Sequence, residues 1–99
     1  MEGVSVTKRV QERIDHARGL VLGADGIQRK IEDEEEWNRL AAQVFREPPA
    51  QKFLAYLRSI TINNLQGSGV SDNELRHMEG QRYIVALIER RIEYGRRSA

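Results

Sequence analysis

The sequence predicts an all-α fold: a small helical bundle of three core helices with an additional N-terminal amphipathic helix. Three observations point to it. Almost every periodic apolar signal in the 99 residues follows helical spacing. The stretches that carry it are separated by strong breakers, at Gly23 to Gly26, at Pro48-Pro49 and from Gln66 to Val70. The last stretch opens on a complete helix-start signal, Ser71-Asp72-Asn73-Glu74.

The first stretch is Val6, Val10, Ile14, Ala17 and Val21, spaced by four, four, three and four residues. That is one stripe of a 3.6-period helix. Ser5 or Thr7 caps it, Gly19 weakens it and Gly23 ends it. Gly23-Ala24-Asp25-Gly26 is a turn cluster, in which glycines can take positive φ. Ile27 and Ile31 fit either a short helical turn or an ordered linker. The expected division is residues 1–33 as an amphipathic helix with its linker, and 34–99 as a compact helical domain.

The acidic run Glu32-Asp33-Glu34-Glu35-Glu36 opens the next helix, where carboxylates favour the positive end of the macrodipole. Trp37, Leu40, Ala41, Val44 and Phe45 follow at core spacing. Pro48-Pro49 stops this helix, because proline lacks the amide donor and restricts the residue before it. Pro49 then suits the first position of the following helix, which carries Phe53, Leu54, Tyr56, Leu57, Ile60 and Leu65. The β-branched Ile60-Thr61-Ile62 leaves a short strand as an alternative ending. With no partner strand elsewhere, helix is the preferred reading. Trp37, Phe45, Phe53 and Tyr56 read as core aromatics, with an exposed partner-binding patch as the alternative.

Ser71-x-x-Glu74 is a capping box, and Val70 sits where a hydrophobic staple would. Leu75, Met78, Val85, Ile88 and Ile92 line one face of the helix that follows; Tyr83, Leu87 and Tyr94 border it. Gly95 is expected to end it, at about 23 residues and roughly 35 Å. Gly80 sits mid-helix, where glycine costs about 1 kcal/mol relative to alanine. It is either a tolerated surface glycine or a point where another backbone comes close.

Composition narrows the functional classes. Net charge is +1, which gives no strong overall field for nucleic acid. The distribution is uneven: the acidic run is answered by Arg82, Arg90, Arg91, Arg96 and Arg97 toward the C-terminus, with Glu89 and Glu93 interleaved. Opposite charge at separate places suits head-to-tail packing of copies, although charge runs are usually solvated faces. There are no cysteines, so disulfides and thiolate metal sites are excluded. The two histidines, His16 and His77, lack further ligands at metal-binding spacing. Consecutive acids splay around a helix axis and do not converge on Mg²⁺. No glycine-rich phosphate loop precedes a Lys-Ser or Lys-Thr, and no nucleophile–base set can be assembled. The expectation is no enzyme and no cofactor. The longest apolar run, Ile84 to Ile88, is far below the roughly 20 residues of a membrane span. A helix-turn-helix reading would start its recognition helix at Asp72-Asn73-Glu74, where acids repel phosphates.

From Trp37 to Tyr94 the order of features is distinctive. An aromatic leads a helix ending in Val44-Phe45. A proline-initiated helix follows, Gln51-Lys52-Phe53-Leu54-Ala55-Tyr56-Leu57-Arg58. A loop and an acid-capped helix with Glu79-Gly80-Gln81-Arg82 close the pattern. This resembles a family of short all-helical domains encoded among the structural genes of tailed bacteriophages, first named from a Bordetella phage. The first 36 residues lie outside the resemblance. It implies a virion or assembly role and no reaction: a small structural protein in several copies, assembled in the host cytoplasm and bound to neighbours near the portal, neck or internal ejection machinery. The residues expected to meet partners are Val6, Val10, Ile14 and Val21 of the N-terminal stripe, Glu34, Glu35 and Glu36, Gly80, and Arg90, Arg91, Arg96 and Arg97. The alternative is a small nucleic-acid-binding protein of DNA packaging or regulation, touching DNA non-specifically through those arginines.

Overall fold

The computed structural model describes residues 19–65, 67 and 69–98. Val6, Val10 and Ile14, and the N-terminal helix expected around them, lie outside the described residues. The chain divides into two compact units, one ending at Trp37 and one beginning at Asn38. Three α-helices and one two-stranded sheet make up the described regular structure: β1 (Leu20–Leu22), β2 (Gln28–Lys30), α1 (Ile31–Val44), α2 (Pro48–Ile60) and α3 (Asp72–Ser98).

The fold is mostly helical, as expected, with a small two-stranded sheet added, and that sheet corrects the helical stripe reaching Val21. β1 and β2 pair antiparallel, with Leu20 opposite Lys30, Val21 opposite Arg29 and Leu22 opposite Gln28. Helical spacing had been counted through Gly19, whose φ of 75° a helix cannot hold. Beyond it, Leu-Val-Leu is a short run that suits a strand. The turn cluster is a hairpin loop. Gly26 N–H donates to Gly23 O at 2.9 Å, Gly23 N–H donates to Ile27 O at 2.9 Å, and Gly26 holds φ 82°. Ile27 thus sits in the loop, and Ile31 begins α1.

α1 starts on its acids, with Glu32, Asp33 and Glu34 in the first turn. It ends at Val44, ahead of the two prolines. Glu47 is extended (φ −76°, ψ 133°), as a residue before proline must be, and Pro48 opens α2. The carbonyls of the turn after α1 find a side chain: Gln51 Nε2 donates to Phe45 O at 3.0 Å and to Arg46 O at 3.3 Å. α2 is helical through Ile60 and closes in turns, so the strand alternative at 60–62 does not form.

The Ser71–Glu74 capping box closes in both directions. Glu74 N–H donates to Ser71 Oγ at 3.2 Å, and Ser71 N–H donates to Glu74 Oε2 at 3.4 Å. α3 then runs 27 residues, about 40 Å, and passes through Gly95 to Ser98. On the face the spacing predicts, Val85 and Ile92 are buried, Met78 and Ile88 half-buried, and Leu75 at the N-terminal end is exposed.

Of the four aromatics expected in the core, Phe45 is half-buried, while Trp37, Phe53 and Tyr56 are 53%, 60% and 55% exposed. On α2 the face toward α3 is Leu54, Leu57, Arg58 and Thr61, at i, i+3, i+4 and i+7, all buried or half-buried. Phe53, Tyr56 and Ile60 make an equally regular stripe on the outer face, with the Phe53 and Tyr56 rings 5.8 Å apart.

Candidate docking groove

Within the second unit, α2 and α3 form a hairpin locked by polar contacts at defined points. Arg58 Nη1 pairs with Glu89 Oε1 at 2.6 Å across the two helices. The C-terminal end of α2 is held by Arg82 on α3. Its Nε donates to Thr61 O at 3.1 Å and its Nη2 to Asn64 O at 2.7 Å. Its Nη1 pairs with Glu79 at 2.8 Å. A guanidinium fork therefore covers the carbonyls and negative dipole end that α2 leaves behind, as a lysine could not. Glu79 and Arg82 bracket Gly80-Gln81, so the Glu-Gly-Gln-Arg segment closes the hairpin. Thr61 supports the same end, its hydroxyl donating to Leu57 O at 2.7 Å.

The close approach of backbones falls at Gly95. A Cβ placed there would overlap the backbone oxygen of Asn38 and lie 2.7 Å from Ala42 Cβ. Gly95 therefore lets α3 lie directly on the Asn38–Ala42 segment of α1. Beside that contact, Arg91 Nη1 donates to Asn38 Oδ1 at 2.9 Å. The sequence reading assigned Gly95 to the end of the helix; the structure gives it a packing role inside it.

Gly80 is different. It is exposed, and a Cβ there would meet nothing within 4 Å. Among the described residues, no backbone outside its own helix comes within 4 Å of that Cβ. Gly80 instead lies in an open groove between α2 and α3, lined by Leu57, Ile60, His77, Ile84, Val85 and Ile88, with Thr61, Arg76 and Gln81 at its edges. Ile60 and Ile84 are 47% and 53% exposed. Ile60 also belongs to the outer stripe of Phe53 and Tyr56, so the groove and that stripe share an edge at Ile60. His77 faces Gln81, ring Nε2 to amide Nε2 at 3.2 Å, and does not meet Glu74.

The other expected partner residues are dispersed. Glu34 is buried in the first unit, where Oε2 accepts the Ala24 N–H at 2.9 Å and Oε1 pairs with Arg29. Arg29 also grips Asp25 in a two-pronged pair at 2.8 and 3.1 Å. These hydrogen bonds, to Asp25 first and then Glu34, raise the guanidinium pKa further above its already high value. Gly23 leaves room for the cluster, since a Cβ there would press on Arg29, Glu34 and Asp25. Glu35 and Glu36 are exposed. Val21 is half-buried in β1 opposite Arg29. Arg90 and Arg96 are exposed, Arg91 is held at Asn38, and Arg97 pairs with Glu93 at 2.6 Å beside the Tyr94 ring. Glu34 and Arg91 thus serve the fold, while Gly80 opens into the apolar groove.

Among the described residues, no cluster of three or more His, Asp or Glu side chains is placed to hold a metal ion. No described helix is long and apolar enough to cross a membrane. The architecture defines a class first: a small helical protein built on a clamped α2–α3 hairpin with an apolar groove. The chain belongs to the Bbp19-like phage proteins, whose family model matches residues 41–98. That span holds both proline-initiated α2 and all of α3, including the Arg82 clamp, Gly80 and Gly95. No curated protein and no solved structure matches the chain significantly.

Proposed function

We propose that this phage protein is a non-enzymatic virion structural or assembly component, present in several copies and bound to neighbouring virion proteins near the portal, neck or internal ejection machinery. The observation that supports it is the surface formed by the α2–α3 groove and the Phe53–Tyr56–Ile60 stripe. Large apolar side chains are left in water on a unit whose buried apolar side chains are Val85 and Ile92. Contiguous apolar patches of this kind mark interaction surfaces. The mechanism is adhesion. A helix of a neighbouring virion protein lays its apolar face along the groove, and Gly80 lets it approach the α3 backbone. Exposed Glu35 and Glu36, and exposed Arg90 and Arg96, add charge that selects orientation more than affinity.

Mass spectrometry of purified virions tests this. The chain is expected at a fixed stoichiometry relative to the portal protein. Its absence from virions would favour a packaging or regulatory nucleic-acid-binding role instead. The charge contribution is tested separately by reversing Glu35 and Glu36 while leaving Glu34, which the first unit needs for its own fold. An unchanged virion after that substitution removes the acidic run from the mechanism.

A further inference from the structure

A second concave surface in the Asn38–Ser98 part of the chain has a different character from the groove and shares no residue with it. It is lined by Arg39, Ala42, Gln43 and Arg46 from α1 and the turn after it, Gln51 from α2, and Gly95 and Arg96 from α3. Arg39 and Gln43 stand one turn apart on α1, and Arg46 follows in the turn after the helix. Gly95 brings α3 onto Asn38 and Ala42, which sets Arg96 beside these residues. Arg39, Gln43, Arg46 and Arg96 are all exposed. No ion pair between described residues engages Arg39, Arg46 or Arg96. No carboxylate is in the lining.

We propose that this cleft binds the phosphodiester backbone of nucleic acid without reading sequence. Three arginines line one cleft whose lining holds no carboxylate, and each presents a planar fork that fits a phosphate with two hydrogen bonds. Arginines from three separate segments, α1, the turn after it and α3, suit successive phosphates along a strand. The amide of Gln43 adds a neutral donor of the kind that phosphates accept. An acidic protein fits less well. Protein interfaces are centred on aromatic or aliphatic anchors, whereas Ala42 and Gly95 are the nonpolar members of this lining. Interfaces with nucleic acid are polar and strongly basic throughout. The cleft holds no aromatic platform for stacking bases, so only the backbone is contacted.

The test is fluorescence anisotropy of the full chain with a labelled DNA duplex of about 20 base pairs and arbitrary sequence. Three neutralised phosphates give a salt slope near −2.7, so binding should weaken about 40-fold between 50 and 200 mM salt. Arg39→Gln with Arg46→Gln should flatten the slope to about −0.9, a loss of roughly 3- to 4-fold over the same range. Arg96→Gln alone should remove about 0.9 from the slope. Lys52→Gln, an exposed cation of α2 outside the cleft, should leave it unchanged. Retained helical circular dichroism confirms that each variant is folded. The proposal is overturned by no binding at 50 mM salt, by a wild-type slope in the arginine variants, or by polyglutamate displacing the duplex as well as unlabelled DNA does at equal charge.

Discussion

The same substitution, glycine to alanine, should have opposite signs at two positions of α3. At either site alanine gains about 1 kcal/mol of helix propensity. At Gly80 nothing opposes that gain, because the added Cβ has open space for 4 Å around it. Gly80→Ala should therefore stabilise the chain by up to about 1 kcal/mol, or roughly 4–8 °C in melting temperature for a domain of this size. At Gly95 the Cβ would overlap the Asn38 carbonyl and sit 2.7 Å from Ala42 Cβ. Both neighbours belong to a helix, and backbone cannot yield as a long side chain can. Overpacking of this kind costs about 1–3 kcal/mol. The displacement also pulls Asn38 Oδ1 from Arg91, a 2.9 Å contact, worth about 0.5–1.5 kcal/mol net. Set against the propensity gain, Gly95→Ala should destabilise by roughly 0.5–3.5 kcal/mol. Urea denaturation followed by helical circular dichroism reads both variants on one scale. If Gly95→Ala is as stabilising as Gly80→Ala, the close packing of α3 on α1 is wrong.

Further outcomes follow from the clamps. Arg82→Gln should leave the Thr61 and Asn64 carbonyls without their charged donor and cost about 1–3 kcal/mol in urea denaturation; Arg82→Lys should recover only part, because the fork is lost. Ser71→Ala should cost about 1 kcal/mol by removing the cap on the Glu74 amide, seen as increased amide exchange over the first turn of α3. Arg58→Gln should change stability by less than about 1 kcal/mol, since both partners of the Glu89 pair are partly exposed. Gly23→Ala should disturb the hairpin by pressing on Arg29 and Glu34, which nuclear magnetic resonance shifts of residues 20–30 would report while α3 stays unchanged.

Much of the helical architecture was legible in the sequence, for local reasons. Proline at the start of α2 and the Ser71–Glu74 box act within a few residues, so their chemistry is printed in the chain. Val85 and Ile92 fall inside because the stripe on α3 is long enough to have one phase. On α2 two stripes are equally regular, Leu54-Leu57-Arg58-Thr61 and Phe53-Tyr56-Ile60, and only the partner helix decides which is buried. The larger aromatics made the wrong one look like core. The hairpin was missed because Val21 fell in phase with a helical stripe, although Gly19 and Gly26 already marked left-handed positions on both sides of it. The Glu79-Gly80-Gln81-Arg82 segment was recognisable, but not that Arg82 closes α2 while Gly80 faces open space. Arg82 closes the end of α2 from 18 to 21 residues away, and periodicity carries no information about such a contact. Gly95 looked like a terminator because glycine follows many helices; its real neighbour lies in α1. The cleft of Arg39, Arg46 and Arg96 was invisible for the same reason, as its two sides meet only where Gly95 lets them.

The docking role of the groove is tested most directly by Gly80→Leu, which places a bulky side chain where the structure has open space. The substitution should leave the purified chain folded and helical, because nothing within 4 Å opposes a Cβ at this position. Quantitative mass spectrometry of virions assembled with this variant as the sole copy should show it missing or strongly depleted, while Gly80→Ala incorporates as the unaltered chain does. A folded Gly80→Leu chain present at the normal stoichiometry would contradict docking through this groove.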